Sequence, residues 1–312
     1  MQYLQRHAIT HSPDAPALEV RDVSVRYDDV VALDNVSLSV EKGSALAVVG
    51  PNGAGKSTLF QVIAGIVRPN SGEILLYGSA PSSHICVGYV PQRTRLDANF
   101  PVNVRDVVMM GRTGKIGFFR RPGKTDRMTV DHALEQVKMS DLADMAIGAL
   151  SGGQQQRVYL ARAIAQEAEV LLLDEPLTGL DAPSQEAIMT ILDDLRSDGV
   201  TVLVATHDLH QASTRFPLVA LINRRLVAFG APAQVLTGQN LAAAFGSHIH
   251  VVHGDHTDLL VTDSCCDGGV DSGFLEPLPA LGKEPDAAMG LPAWETSVDG
   301  ERQRGADRGR AA

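Results

Sequence analysis

The sequence predicts an α/β fold with parallel strands at its core, an antiparallel β layer beside them and a helical insertion. Short continuous apolar runs at residues 44–50, 170–173 and 200–205 are typical of parallel strands that are covered on both faces. Between residues 18 and 40, apolar and polar residues alternate, which indicates strands that are buried on one face only. Between residues 93 and 148 the buried-strand pattern disappears and polar helical segments replace it.

Composition and charge exclude several classes of protein. The 312 residues are 44% hydrophobic and 21% charged, as in folded globular proteins. The 27 basic and 37 acidic residues give a formal charge of −10, which argues against a broad basic surface for nucleic acid. The longest apolar runs are far shorter than the roughly 20 residues of a membrane helix. Three cysteines are too few for a disulfide framework, and the N-terminus lacks the apolar core of a secretory signal, so we expect a cytoplasmic protein.

The chain divides into four segments. Residues 1–17 are predicted to be an N-terminal extension, and residues 18–245 carry the periodic pattern of a folded domain. Residues 246–262 are a short, histidine-rich, strand-like segment. From 263 to 312 there are 10 acidic and 5 basic residues among many Gly, Pro, Ser and Ala. Such a stretch cannot bury enough apolar surface to offset its ordering entropy, so we expect a disordered acidic tail.

A glycine-rich loop follows the first buried strand and precedes a helix, which is the context that a phosphate-binding loop requires. Its glycines let backbone N–H groups point at phosphate oxygens, and the helix N-terminus adds partial positive charge. We expect Lys56 at the β- and γ-phosphates, Ser57 on Mg²⁺ and Thr58 at the α-phosphate side. A structural turn with an incidental lysine is the alternative, which this context disfavours. The loop consists of Gly50, Pro51, Asn52, Gly53, Ala54, Gly55, Lys56 and Ser57.

Helical periodicity appears in three further segments. Two of them, residues 126–138 and 184–196, are predicted helices, and the second lies between two buried strands. The third is the helix after the glycine-rich loop, whose buried face is predicted to contain Leu59, Val62, Ile63 and Ile66.

Two carboxylates follow the buried strand at residues 170–173. In open α/β sheets, ligands bind beyond the carboxyl ends of the strands. Asp174 is predicted to hold Mg²⁺ directly or through water, and Glu175 to orient or deprotonate an attacking water. An acidic pair at a strand end is more often a loop or cap, but the phosphate loop upstream favours the catalytic interpretation.

A Ser-Gly-Gly segment precedes this acidic pair, within the sequence LSGGQQQR at residues 150–157. This sequence resembles the signature of ABC transporter nucleotide-binding subunits, which distinguishes them from other phosphate-loop ATPases. Ser151 is predicted to open a helix and to leave its hydroxyl free for a phosphate, together with the amides of Gly152 and Gly153. Gln154 completes the matching segment. Outside this family, the same residues would be a plain helix cap.

The resemblance covers residues 18–238 and implies further site residues. Gln92 is similar to the family glutamine that touches Mg²⁺ and the attacking water, and His207 to the histidine that contacts the γ-phosphate. Asp181 lies in a segment that resembles the D-loop, although Gly179 stands where many members have alanine. Tyr27 matches the aromatic position that stacks on adenine.

The same resemblance implies a fold, cofactors and partners. The fold is a RecA-like mixed sheet core with an antiparallel β subdomain and a helical signature subdomain at about 93–165. The cofactors are ATP and Mg²⁺. The partners are a second ATPase copy in a head-to-tail dimer, a polytopic membrane permease and, indirectly, an extracytoplasmic metal-binding protein, with no nucleic acid. A homodimer and a heterodimer are both compatible with one cassette. Such a subunit is peripheral on the inner face of the cell membrane.

The segment before the signature resembles one branch of ABC importers, and this resemblance implies which substrate is transported. Phe100-Pro101, Asp106-Val107-Val108 and Met110-Gly111-Arg112 resemble the manganese, zinc and iron uptake branch of ABC importers. Importers of siderophore, haem or cobalamin chelates share part of this pattern and are one alternative. A non-transport ABC ATPase is another, but such relatives generally carry two cassettes or long coiled-coil insertions. A regulator without turnover is disfavoured because every catalytic position is filled.

Two further segments have open interpretations. The first segment contains two aromatic residues followed by two basic residues: Phe118, Phe119, Arg120 and Arg121. It either contacts the permease or lipid headgroups, or forms a solvated loop. The other is a histidine cluster that either binds Zn²⁺ or Mn²⁺ as a sensor or belongs to a polar strand edge: His248, His250, His253 and His256.

Overall fold

The computed structural model describes residues 14–80, 87–92, 101–117, 120–246, 249–253 and 258–262, the last two ranges as backbone only. The predicted tail at 263–312 and the first 13 residues of the predicted extension lie outside this part of the chain. So do Phe100, Phe118 and Phe119 of the segments that the sequence singled out.

Eleven strands form three sheets within the described residues. They are β1 (Leu18–Tyr27), β2 (Val30–Val40), β3 (Ala45–Val49), β4 (Ser71–Leu76), β5 (Val87–Val90), β6 (Val170–Asp174), β7 (Thr201–Thr206), β8 (Leu218–Asn223), β9 (Arg225–Gly230), β10 (Ile249–His253) and β11 (Asp258–Thr262).

Nine α-helices lie between these strands in the same ranges. They are α1 (Lys56–Ile63), α2 (Val104–Met110), α3 (Thr113–Ile116), α4 (Lys124–Gln136), α5 (Gly152–Ala165), α6 (Ala182–Ser197), α7 (Leu209–Arg215), α8 (Pro232–Val235) and α9 (Gly238–Phe245). Among the residues described, no helix combines the length and the apolar character that crossing a bilayer requires.

The central sheet has six strands in the order β5-β6-β7-β3-β8-β9. The first five run parallel, and β9 pairs antiparallel with β8, so the sheet is mixed. β3, β6 and β7 are buried along their whole length, as their continuous apolar runs predict. Their carboxyl ends, which carry the glycine-rich loop, the acidic pair and His207, lie side by side at one edge of the sheet.

A second, three-stranded sheet forms the antiparallel layer in the order β2-β1-β4. Buried and exposed residues alternate along much of β1 and β2, because one face of this sheet packs on the protein and the other faces solvent. The predicted α/β fold with a mixed sheet and an antiparallel layer is therefore confirmed.

The central sheet separates two hydrophobic cores. On one face, α1 and the antiparallel sheet pack against alternate residues of the buried strands, such as Leu172 of β6. On the other face, α2, α4, α5 and α6 pack against the intervening residues, such as Leu171 and Leu173. Side chains alternate between the faces of a strand, so each central strand contributes to both cores.

The helix after the glycine-rich loop is shorter than predicted. α1 ends at Ile63, and Gly65 follows with a φ of 71°. This left-handed residue ends the helical path, and Ile66 is 62% exposed instead of buried. The three earlier apolar residues of the predicted face are buried. The prediction was wrong at Ile66 because apolar spacing does not register a glycine that terminates the helix.

The helices between β5 and β6 are tied together by one buried cation, Arg112. Its Nη1 atom donates to the carbonyl of Ala165, the last residue of α5, at 2.9 Å. The same atom donates at 2.7 Å to a carboxylate oxygen of Glu167, which lies two residues beyond the helix. Its Nε atom lies 3.2 Å from Asp126 of α4. Lys115 also donates to Glu167. The segment that follows α2 is thereby fixed to both longer helices of the insertion.

Hydrogen bonds keep this network ionised. Burial acts to lower the pKa of Arg112, but its bonds to Glu167 and Asp126 outweigh burial and raise it. A backbone hydrogen bond from Gly123 lowers the pKa of Asp126, which also caps α4. For Glu167, burial is outweighed by the bonds from Lys115 and Arg112, so its pKa is also lowered.

Candidate active site

The glycine-rich loop turns the chain from β3 into α1. Gly55 is the N-cap of α1 and has a φ of 96°, in the left-handed region that glycine favours. A Cβ atom at this position would overlap the Ala32 carbonyl and the Leu33 side chain, so the turn requires glycine. No acidic residue occupies the first turn of α1, and the partial positive charge of its N-terminus is not neutralised there. This geometry suits an anion at the loop.

Lys56 lies inside the loop and is buried. Its ammonium donates to the carbonyl of Gly50 at 2.7 Å and to that of Pro51 at 3.1 Å. Burial lowers the pKa of Lys56, while the negative charges of Glu175 and Asp174 oppose this shift. The cation is therefore held between the loop backbone and the two carboxylates that end β6.

Asp174 is the last residue of β6 and is buried. The Ser57 hydroxyl donates a hydrogen bond to its carboxylate, and the Tyr89 hydroxyl lies 3.5 Å from Oδ2. Burial raises the pKa of Asp174, the Ser57 bond opposes the shift and the charge of Glu175 adds to it. Burial, reinforced by the charge of Asp174, raises the pKa of Tyr89 to about 12.

Glu175 is the centre of a second set of contacts. Its side chain is 8% exposed, and its Oε2 atom accepts a hydrogen bond from the Gln92 amide at 2.7 Å. Nδ1 of His207 lies 3.6 Å from the same oxygen. Glu175 has a φ of 49°, which is uncommon for a residue with a side chain and is typical of functional turns. Gln92, Glu175 and His207, predicted separately, are brought together.

One residue of this cluster was missed by the sequence predictions. Thr178 donates from its hydroxyl to Oε2 of Glu175 at 3.2 Å. The two residues are three apart in a turn where the Thr178 N–H also bonds the Glu175 carbonyl. A threonine three residues after a strand-end glutamate is a weak signal, because hydroxyls commonly bond nearby turn residues.

The signature segment caps α5 as predicted. The Ser151 hydroxyl accepts from the Gln154 N–H at 3.3 Å, and the Gln154 side chain accepts from the Ser151 N–H at 2.9 Å. This reciprocal capping box corrects the expectation that the hydroxyl is free, although its own proton remains available. Gly152 is exposed, whereas Gly153 is buried, and a Cβ there would lie 2.6 Å from Ser184.

The other predicted residues lie around this centre. Tyr27 ends β1 and is exposed. Asp181 is the exposed N-cap of α6, and its side chain makes no capping bond. Within the glycine-rich loop and the start of α1, the exposed residues are Asn52 and Gly53, the partly buried ones are Pro51, Gly55, Ser57 and Thr58, and the buried ones are Gly50, Ala54 and Lys56.

A groove of about 300 Å³ lies beside the site, between β5 and the helical insertion. Its lining includes Tyr89, Met110, Gly111 and Arg162. Met110 is exposed to solvent. Met110 and Gly111, two of the residues on which the resemblance to metal importers rests, therefore form part of the groove.

The structure describes only part of the histidine cluster. β10 and β11 pair as an antiparallel hairpin, in which the backbones of His250 and His253 lie on β10. His248 and His256 lie outside the described residues. Within the described ranges, no group of three or more His, Cys, Asp or Glu side chains is suited to a metal ion. The sensor interpretation remains a prediction.

The oxygen atoms at the end of β6 suit a small divalent cation. Mg²⁺ prefers hard oxygen ligands, usually one or two protein groups together with phosphate oxygens and water. The Ser57 hydroxyl and the Asp174 carboxylate already lie within hydrogen-bonding distance of each other. The amide of Gln92 offers a further oxygen close to Glu175. This donor set fits Mg²⁺, and the adjoining loop fits phosphate.

Comparisons with known proteins agree with this geometry. The family described as ABC transporter matches residues 33–178. The manganese transport system ATP-binding protein MntB of Bacillus subtilis (strain 168) is 44% identical over 233 residues, which are 74% of this chain and 93% of that protein. The zinc transport system ATP-binding protein TroB of Treponema pallidum (strain Nichols) is 41% identical over 239 residues, 76% of this chain and 90% of that one.

A solved structure supports the same assignment. The inward-facing conformation of a metal-chelate type ABC transporter superimposes with a TM-score of 0.67 at 32% identity. The match covers 78% of this chain and 96% of that one. Sequence similarity, fold and site geometry agree, and this chain is a member of the ABC transporter family, an ATP-binding cassette ATPase.

Proposed function

We propose that this chain powers the uptake of a divalent transition metal, Mn²⁺, Zn²⁺ or iron, through a separate membrane permease. The observation that carries the proposal is a complete Glu175 cluster in a chain that is 44% identical to a manganese transport subunit and 41% identical to a zinc transport subunit. The subunit acts in the cytoplasm, at the inner face of the cell membrane.

The hydrolytic step is the in-line attack of water on the γ-phosphate of ATP, which breaks the bond to ADP. Glu175 orients this water or accepts its proton, and the Gln92 amide and Thr178 hydroxyl hold the carboxylate. His207, beside the same carboxylate, contacts the γ-phosphate. Lys56, with the backbone amides of the loop, stabilises the charge that develops on the phosphate oxygens.

Ser57, Asp174 and Gln92 would hold Mg²⁺, which would supply positive charge to neutralise the negative charge of the phosphates. Thr58 lies next to Ser57 at the start of α1 and contacts the α-phosphate side. Tyr27 stacks on adenine. Its exposed ring at the end of β1 is available to a flat ligand.

A second copy of the chain completes the site. The exposed start of α5 presents Ser151, Gly152 and Gln154 to the nucleotide of the partner copy, while Gly153 lets α5 approach α6. Asp181 at the N-cap of α6 lies on the same dimer surface. Binding of ATP between two copies favours the closed dimer, and hydrolysis reopens it. This alternation drives the permease.

The groove beside Tyr89 and Met110 receives the permease. It is bounded by the helical insertion, which Arg112 holds as a unit, and by β5, which leads directly to Gln92. A permease segment bound here is one short stretch of chain away from the catalytic carboxylate. The extracytoplasmic metal-binding protein acts on the permease and does not contact this chain.

A metal chelate is the second candidate cargo. The structural match to a metal-chelate type transporter, at 32% identity over 78% of this chain, favours it. The chain itself contacts no cargo in either case, so cargo must be measured in cells.

Uptake by cells that lack the gene separates the two candidates. We expect deletion to abolish accumulation of radioactive Mn²⁺ or Zn²⁺, and the intact gene to restore it. Restoration by Glu41→Gln, a change at an exposed turn residue, but not by Glu175→Gln would link uptake to hydrolysis. Unchanged free-metal uptake with lost uptake of a ferric siderophore or cobalamin would establish the chelate cargo instead.

A further inference from the structure

Tyr89 is a half-buried tyrosine on β5 that has no role in the proposed hydrolytic step or in the proposed Mg²⁺ site. The register pairs it with Leu172 of β6, so Asp174 is its diagonal neighbour on the same face of the sheet. The ring is long enough to reach along this diagonal. Its hydroxyl oxygen lies 3.5 Å from Oδ2 of Asp174.

The hydroxyl has a second partner. The Gln61 side chain on α1 also forms a hydrogen bond with it. Tyr89 therefore joins the helix that follows the phosphate loop to the carboxylate that ends β6. A phenol is protonated at neutral pH, so it donates to Asp174 and accepts from the amide of Gln61.

The orientation of Asp174 needs such a contact. Its carboxylate is buried, and the only other side-chain donor described for it is the Ser57 hydroxyl. In the proposed function, both Ser57 and Asp174 hold Mg²⁺, so their mutual hydrogen bond does not fix the carboxylate once the ion is bound. The contact between Tyr89 and Asp174 does not depend on the hydrogen bond between Ser57 and Asp174.

We infer that Tyr89 is a positioning residue whose hydroxyl orients the Asp174 carboxylate for Mg²⁺. The inference rests on the proposed role of Asp174 as a Mg²⁺ ligand. Tyr89 itself contacts neither the metal nor the nucleotide. Tyr89 is also among the residues that line the groove beside Met110.

The test is the gain in nucleotide affinity that Mg²⁺ provides. Isothermal titration of the full chain with AMP-PNP, once with Mg²⁺ and once with EDTA, gives two dissociation constants and their ratio. We expect Tyr89→Phe to reduce this ratio by about two- to fivefold, as for one lost hydrogen bond, and to leave the EDTA value unchanged. Gln61→Met, which removes the other partner of the hydroxyl, shifts the ratio in the same direction.

Tyr77→Phe is the matched control. The Tyr77 hydroxyl also lies 3.5 Å from its acceptor, the carbonyl of Glu169, which precedes the opposite end of β6. We expect its ratio to equal the wild-type ratio. A wild-type ratio in Tyr89→Phe, or an equal loss of affinity with Mg²⁺ and with EDTA, overturns the inference. Failure of Mg²⁺ to improve binding to the wild-type chain would instead remove the proposed metal site.

Discussion

The Gln92 amide nitrogen lies 2.7 Å from Oε2 of Glu175, which joins the end of β5 to the end of β6 across the active site. Gln92 is exposed and precedes the helical insertion, whereas the Glu175 side chain is nearly buried. A change in the position of Gln92 can therefore reach the Glu175 carboxylate, the proposed base, through a single hydrogen bond.

Replacement of Glu175 by glutamine removes the negative charge and keeps the shape of the side chain. We expect ATP hydrolysis to fall by roughly 10²- to 10⁴-fold, because the attacking water loses its base. ATP-dependent dimerisation should persist, since the loop and the signature are unchanged. Phosphate release and size-exclusion chromatography with ATP measure the two effects. Near-wild-type hydrolysis would remove Glu175 from its role, and Glu41→Gln provides the control.

Replacement of Gln92 by alanine removes the shorter of the two side-chain hydrogen bonds described for the Glu175 carboxylate and leaves its charge unchanged. We expect kcat to fall by about tenfold or more, because a mobile base is less often in the reactive position. Steady-state hydrolysis at saturating ATP and Mg²⁺ measures it. The exposed Gln234 provides a matched substitution to alanine that should leave kcat unchanged. Equal kcat values for the two variants would show that the 2.7 Å contact has no role in turnover.

Two isoleucines three residues apart test where α1 ends. Ile63→Ala creates a cavity in a fully buried position and should lower the free energy of unfolding by about 2–5 kcal/mol. Ile66→Ala, the same substitution at a position that is 62% exposed, should change it by less than about 0.5 kcal/mol. Urea denaturation of both variants measures the difference. Similar losses would place Ile66 on the buried face after all.

The Arg112 network should give the protein an acid-sensitive component of stability. The pKa values of Asp126 and Glu167 are lowered from 3.8 and 4.5, so their contribution is complete above these values and is lost as pH falls below them. At pH 7 we expect Arg112→Met to lower the free energy of unfolding by about 1–3 kcal/mol, because Asp126 and the Ala165 carbonyl lose a buried donor, while the half-exposed Glu167 keeps its contact with Lys115.

Thermal unfolding at pH 7 and pH 3 checks this prediction. The difference in Tm between wild type and Arg112→Met should narrow from pH 7 to pH 3, because the stability contributed by carboxylates with lowered pKa values is lost as the pH falls. Arg120→Met, at an exposed position of the same insertion, should match wild type at both pH values. A difference that is independent of pH would mean that Arg112 stabilises the insertion by packing alone.

The parts of the site that lie within continuous motifs were predictable from the sequence. The loop around Lys56 and the strand that ends at Asp174 each combine local periodicity with a short, specific pattern. The meeting of Gln92, Glu175 and His207 was also accessible, because each follows a strand of one sheet and carboxyl ends of parallel strands converge.

Contacts that depend on register or on helix ends were not predictable. The approach of Tyr89 to Asp174 spans 85 residues and requires the β5–β6 pairing to be known. The Arg112 network likewise joins residues that are 14 to 55 positions apart. At Ile66 the local pattern itself was misleading, because a single left-handed glycine outweighs one more apolar residue at helical spacing.

The division of the molecule by its central sheet has an evolutionary consequence. Leu172 and Leu173 are neighbours in sequence, yet they belong to cores on opposite sides of β6. Substitutions on the helical side can therefore accumulate, and alter what that side recognises, without disturbing the packing behind the phosphate loop. The two cores can in this way change at different rates during evolution, because a substitution in one core leaves the packing of the other in place.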